Sequence, residues 1–188
     1  MRRPEEARVQ IERALELDPL NSLFQGLYGL HLMWERRYDD AIVQYRNALR
    51  TAPNFRTALW GLWHASHAKR MYQEALAAAK ARFADDREVE EALARGYAAG
   101  GYPEAMRLAA ETLAARSRTT YVQPTVIASL YAYAGDSDRA LEWLEKAHEE
   151  RDPILVALSV GTEWDSLRDD PRFQDLLRRM NLPRRNDE

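Results

Sequence analysis

A small residue recurs along this chain at Ala7, Ala41, Ala75, Ala105 and Ala140, at intervals of 34, 34, 30 and 35 residues. The clearest copy of the surrounding pattern runs from Arg37 to Pro53. There Ala41, Tyr45 and Ala48 fall at i, i+4 and i+7, one stripe of a helix, and Pro53 removes a donor and stops it. Ala7, Ile11, Ala14 and Pro19 repeat Ala41, Tyr45, Ala48 and Pro53 at a shift of 34. Tyr38, Tyr72 and Tyr102 stand at the turn before each of the next three copies. Self-similarity at this period restricts the chain to a few architectures. Each unit is one supersecondary element that cannot bury its apolar face alone, so neighbouring units must stack.

The hydrophobic spacing predicts helices near 4–17, 22–35, 39–51, 55–69, 72–84, 87–99, 103–116, 121–134 and 138–150. No segment alternates as a strand does. A short apolar helix is expected over 153–160, and Asp170 caps a last helix reaching Met180 that buries Phe173, Leu176 and Leu177. Asp85-x-x-Glu88 reads as a capping box, and Pro103 as a first helical residue. The fold class is all-α, an α-solenoid of antiparallel helix pairs closed by a short helical C-terminal cap. One domain over 1–188 is expected: a half unit at 1–21, units at 22–55, 56–85, 86–120 and 121–152, and the cap at 153–183. Trp63 and Arg82 stand where the register asks for a small residue, so the third and fourth units are degenerate and the stack is expected to bend there. The helix at 4–17 lacks a preceding partner. That suggests a fragment of a longer chain, with Ile11 and Leu15 exposed or covered by a second copy.

The 34-residue period, with its small residues, turn tyrosines and phased prolines, resembles the tetratricopeptide repeat (TPR) family. The resemblance implies a right-handed superhelix whose first helices line a concave groove. Carried over position by position, that groove is lined by Leu30, Met33, Trp60, His64, His67, Tyr97 and Ser129. Trp60 is the central candidate for anchoring a partner, since interface hot spots are commonly aromatic. A second resemblance rests on Tyr121-Val122-Gln123-Pro124, on 138–147 and on 165–173. These are similar to the closing segment of bacterial TPR proteins that follow a kinase, a cyclase-like or a winged-helix domain. The implied role is the sensing or partner-binding part of a larger regulator.

Composition narrows the chemistry. Apolar residues make up 46% and charged residues 30%, and the net charge of −3 gives no basic field for nucleic acid. Arg178-Arg179 and Arg184-Arg185 form a basic tail, read as a solvated helix end. There is no cysteine, so thiol chemistry and sulfur-based zinc sites are excluded. No apolar run is long enough for a membrane span and no signal sequence stands at the start, so the expected compartment is the cytoplasm. No glycine-rich phosphate loop and no nucleophile elbow occurs. His64 and His67 share a helix face without further ligands nearby, so no metal is expected there, and they are expected to make binding sensitive near pH 6 if either contacts an acidic group. The expectation is a non-enzymatic module, without cofactor or small-molecule substrate, that binds a protein or peptide. The alternative is a homodimerising scaffold.

Overall fold

The computed structural model describes residues 4–183. Arg184-Arg185 of the basic tail and the segment 186–188, expected to fray, lie outside the described residues. The chain is all-α, with no strand among the described residues. Its α-helices are α1 (Pro4–Leu17), α2 (Ser22–Trp34), α3 (Tyr38–Thr51), α4 (Arg56–Ala68), α5 (Tyr72–Arg82), α6 (Arg87–Arg116), α7 (Pro124–Ala134), α8 (Ser137–Glu149) and α9 (Pro171–Arg179). Two 3-10 helices, Pro153–Ala157 and Thr162–Leu167, lie between α8 and α9. The chain divides into two compact units, one ending at Asp85 and one starting at Asp86. The division falls between the third and fourth repeats, beside the register fault at Arg82.

In the first unit α1 packs on α2, α2 on α3, α3 on α4 and α4 on α5. The predicted small positions Ala41 and Ala75 are fully buried, whereas Ala7 is exposed on α1. The tightest joint is Tyr45. A Cβ at Gly29 of α2 would lie 2.6 Å from the Tyr45 ring, and one at Gly61 of α4 would fall into the same ring. The tyrosine on α3 is thus held between two glycines, one on each flanking helix. Trp63, at the position where a small residue is expected, is enclosed in the core, and Gly61 two residues earlier provides the close approach.

The turns inside three of the pairs share one device. α2 ends with the Arg37 N–H donating to Leu32 O and the Arg36 N–H to Met33 O, a paired closure that needs a left-handed residue between. That residue is Arg36 (φ 63°), Arg70 (φ 59°) and Gly135 (φ 81°) in their respective pairs, whereas Gly101 (φ 74°, ψ −157°) turns its chain in a different, glycine-only conformation. Glycine adopts the left-handed conformation freely, and arginine at a cost of about 1–2 kcal/mol.

In the second unit α6 is two antiparallel arms. Gly100 and Gly101 leave helical geometry, and the arms meet where a Cβ at Gly96 would lie 2.6 Å from Ala105 Cα. Arg116 at the end of the second arm reaches back to Asp86 and, at 2.8 Å, to Glu88 at the start of the first. The helix cap is Asp86, which accepts from the Val89 N–H, and not Asp85, which is exposed. α7 begins at Pro124 rather than 121, because the residue before a proline is forced extended and proline favours the first turn. Ala105 and Ala140 are fully buried.

Beyond α8 the chain imitates one more repeat. The second 3-10 helix, which the sequence pattern did not reveal, packs on α7, and α9 packs on α8. Its Trp164 and Leu167 are buried with Phe173 and Leu176 of α9. Arg172 pairs with Asp138 and Arg179 with Glu145, both 34 residues apart, so α9 follows α8 in repeat register. Arg168 binds Ser159 O at 3.0 Å and Gly161 O at 2.7 Å and so shapes the irregular connection. Asp152 ties this cap to α7. Its buried carboxylate accepts from the Thr125 N–H (3.2 Å) and hydroxyl (2.7 Å), from Gln123 Nε2 (3.0 Å) and from the Ile154 N–H (3.0 Å).

Two stability experiments check these joints. Gly61→Ala should cost about 1–3 kcal/mol by overpacking the Tyr45 ring, seen as a lowered midpoint in chemical denaturation. Asp152→Ala leaves a buried backbone donor without its acceptor and should cost about 1–3 kcal/mol, with early loss of hydrogen-exchange protection over 123–126.

Candidate protein-interaction surface

The groove residues expected from the sequence do not share one environment. Leu30, Met33, Trp60, His64 and His67 belong to the first unit, and Tyr97 and Ser129 to the second. Met33 and His64 are completely enclosed. Leu30, Trp60 and His67 are half-buried, and Tyr97 is exposed. Ser129 is buried and donates its hydroxyl back to Val126 O at 2.9 Å. Met33, His64 and Ser129 therefore offer no surface to a partner. Each lies on a helix covered from two sides: Met33 on α2, between α3 and α4; His64 on α4, between α3 and α5; and Ser129 on α7, between α6 and α8.

His64 sits inside an aromatic cluster. Its ring stacks on Trp63 at 4.8 Å and meets Trp60 edge-on at 4.2 Å, and Trp63 lies 6.1 Å from Phe83. His67 is 5.9 Å from Tyr72. Trp60 is thus partly a packing residue that roofs His64. Burial holds His64 well below the ordinary histidine range, helped by the neighbouring His67 and Arg82, and pushes His67 down to about 4. Neither ring titrates near pH 6, which corrects the expected pH sensitivity of binding. Arg82 is half-buried with its guanidinium over the Phe83 ring at 5.6 Å, and burial, with Arg56 nearby, lowers it to about 10.

Ile11 and Leu15 are half-buried, since α1 lies on α2, and Tyr28 of α2 donates to Glu12 Oε1 at 3.0 Å. They are not the open stripe expected of them. The open stripe is on α2. Leu23 (49% exposed), Leu27 (39%), the half-buried Leu30 and Trp34 (42%) fall at i, i+4, i+7 and i+11, one face of the helix. The opposite face buries Gln25, Gly29, Leu32 and Met33 in the core. α2 contains no Asp, Glu, Lys or Arg in thirteen residues, SLFQGLYGLHLMW. A helix that is apolar all round has more apolar face than its own core covers. Leu23, Leu27 and Trp34 were missed by register matching, although the missing charge was visible in the sequence.

The remaining surface offers less. A shallow depression of about 490 Å³ in the second unit is lined by His148, Arg151, Asp152, Leu155, Val156 and Met180. Its one carboxylate, Asp152, is already committed to the four hydrogen bonds above. Among the described residues no group of three His, Cys, Asp or Glu is placed to hold a metal ion, and no helix is long and apolar enough to cross a membrane. A scan against protein-family models finds no match, and a search of curated proteins finds no similar sequence.

The buried histidines make stability depend on pH. In the folded chain they stay neutral below 6.5, while the unfolded chain takes up their protons there, so stability falls as pH drops from about 6.5 toward 4. The loss should approach about 1.4 kcal/mol per pH unit for each histidine. His67→Gln should flatten the slope measured by denaturation between pH 7 and pH 4.5.

Proposed function

We propose that the chain is a non-enzymatic interaction module of tetratricopeptide type, and that it holds an apolar helical segment of a partner protein on the exposed face of α2. The observation that carries this reading is the stripe of Leu23, Leu27, Leu30 and Trp34 on a charge-free helix whose other face is already buried. Contiguous apolar side chains of this size on a folded surface mark an interaction site. Their spacing suits a helix laid into apolar neighbours. Trp34 is the natural anchor, being large, apolar and rigid. The sequence likeness of the C-terminal third to bacterial regulators supports a place beside an effector domain, acting in the cytoplasm. The absence from the sequence of a phosphate loop or nucleophile elbow supports a non-catalytic role.

The test is paired affinity capture with the wild type and a Leu23→Glu/Leu27→Glu variant as baits, followed by hydrogen exchange on the complex. A partner lost at least about tenfold by the variant, with protection confined to 23–34 and an unchanged circular dichroism spectrum, supports the reading. Equal capture by both baits, or protection elsewhere, refutes it.

A further inference from the structure

The α2 stripe is symmetric along the helix. Leu23 and Trp34 stand equally far from its midpoint, and so do Leu27 and Leu30, each pair of numbers adding to 57. We infer that the partner on this face is a second copy of the same chain, with the two α2 helices packed antiparallel about a twofold axis. The inference rests on the interaction reading above and names its occupant.

Antiparallel twofold pairing sets residue i opposite residue 57−i. Leu23 then meets Trp34 of the other copy, and Leu27 meets Leu30, so every apolar side chain of the stripe finds one. An isologous contact needs just such a self-complementary patch. The 4-3-4 spacing is that of a seam between packed helices, where side chains of one enter gaps of the other. Electrostatics agree. α2 carries no Asp, Glu, Lys or Arg, so the pairing juxtaposes no like charges along the seam. Antiparallel helices also place the positive N-terminal end of each dipole beside the negative C-terminal end of its mate. The exposed Leu20 (67%) extends the apolar surface past the helix start. A few exposed side chains fall short of the roughly 800 Å² per partner of a standard interface. The dimer is therefore weak and its population depends on concentration.

The chain has no cysteine, so introduced thiols report the geometry without interference. Light scattering on the full chain should show a mass rising with concentration from 21.7 kDa toward twice that value, and Leu27→Glu should hold it at the lower mass. For register, Leu23→Cys and Trp34→Cys are made as separate proteins. In the antiparallel pair each new thiol is about 16 Å from its own copy, eleven residues of helix rise, beyond the reach of a disulfide. Neither variant alone should cross-link on mild oxidation. An equimolar mixture should yield the mixed disulfide dimer. Cross-linking of either variant by itself means parallel packing and overturns the inference. So does a mass fixed at the monomer value at every concentration. If the chain is monomeric but the captured partner still requires Leu23 and Leu27, the second copy is ruled out while the interaction reading stands.

Discussion

The first unit depends on one aromatic ring seated between two glycines. Tyr45 projects from α3 and is enclosed by Gly29 of α2 and Gly61 of α4, so three helices close on a single side chain. The ring fills the space that two absent Cβ atoms vacate. Packing of this kind tolerates little change from either side, because a larger residue at a glycine or a smaller one at the tyrosine upsets the same joint. The second unit uses a lighter version, in which backbone meets backbone at Gly96 and Ala105. Ion pairs between neighbouring repeats, such as Arg46 with Glu74 and Arg139 with Glu111, fix register more than they add stability, since most are exposed.

Much of the fold was legible because it is carried by local signals repeated in phase. Ala41, Ala75, Ala105 and Ala140 are all buried, as their period requires, and the helix limits follow from prolines, caps and turn residues. What sequence missed is instructive. The close approach at Gly61 was hidden because register matching pointed to Trp63, two residues on. The helical turn at Thr162–Leu167 has no periodicity of its own and is shaped by Arg168 binding backbone carbonyls. The cap of α6 moved by one residue to Asp86, the carboxylate that Arg116 also reaches.

The candidate surface was less legible than the fold. Register places a residue on a helix face, but whether that face is open depends on which helices cover it. His64 and Met33 were assigned to a groove and are enclosed, because α2 and α4 each pack against neighbours on more than one side. Burial then changed their chemistry, leaving His64 and His67 as neutral core rings and not sensors. Leu23, Leu27 and Trp34 were open instead. Their signal was compositional: a helix without charge needs more cover than a single core face provides.

The closing segment has a consequence for assembly. A stacked array whose last apolar face stayed open would attract the equivalent face of another molecule head to tail, and a heterologous contact that does not close grows into a filament. In this chain α9 buries Phe173, Leu176 and Leu177 inward and presents Arg172, Arg178 and Arg179 outward. These arginines are paired with Asp138 and Asp170, Asp175 and Glu145, so the outer face is charged on both signs and keeps its water. A polar face of this kind disfavours apolar stacking on the outer side of α9.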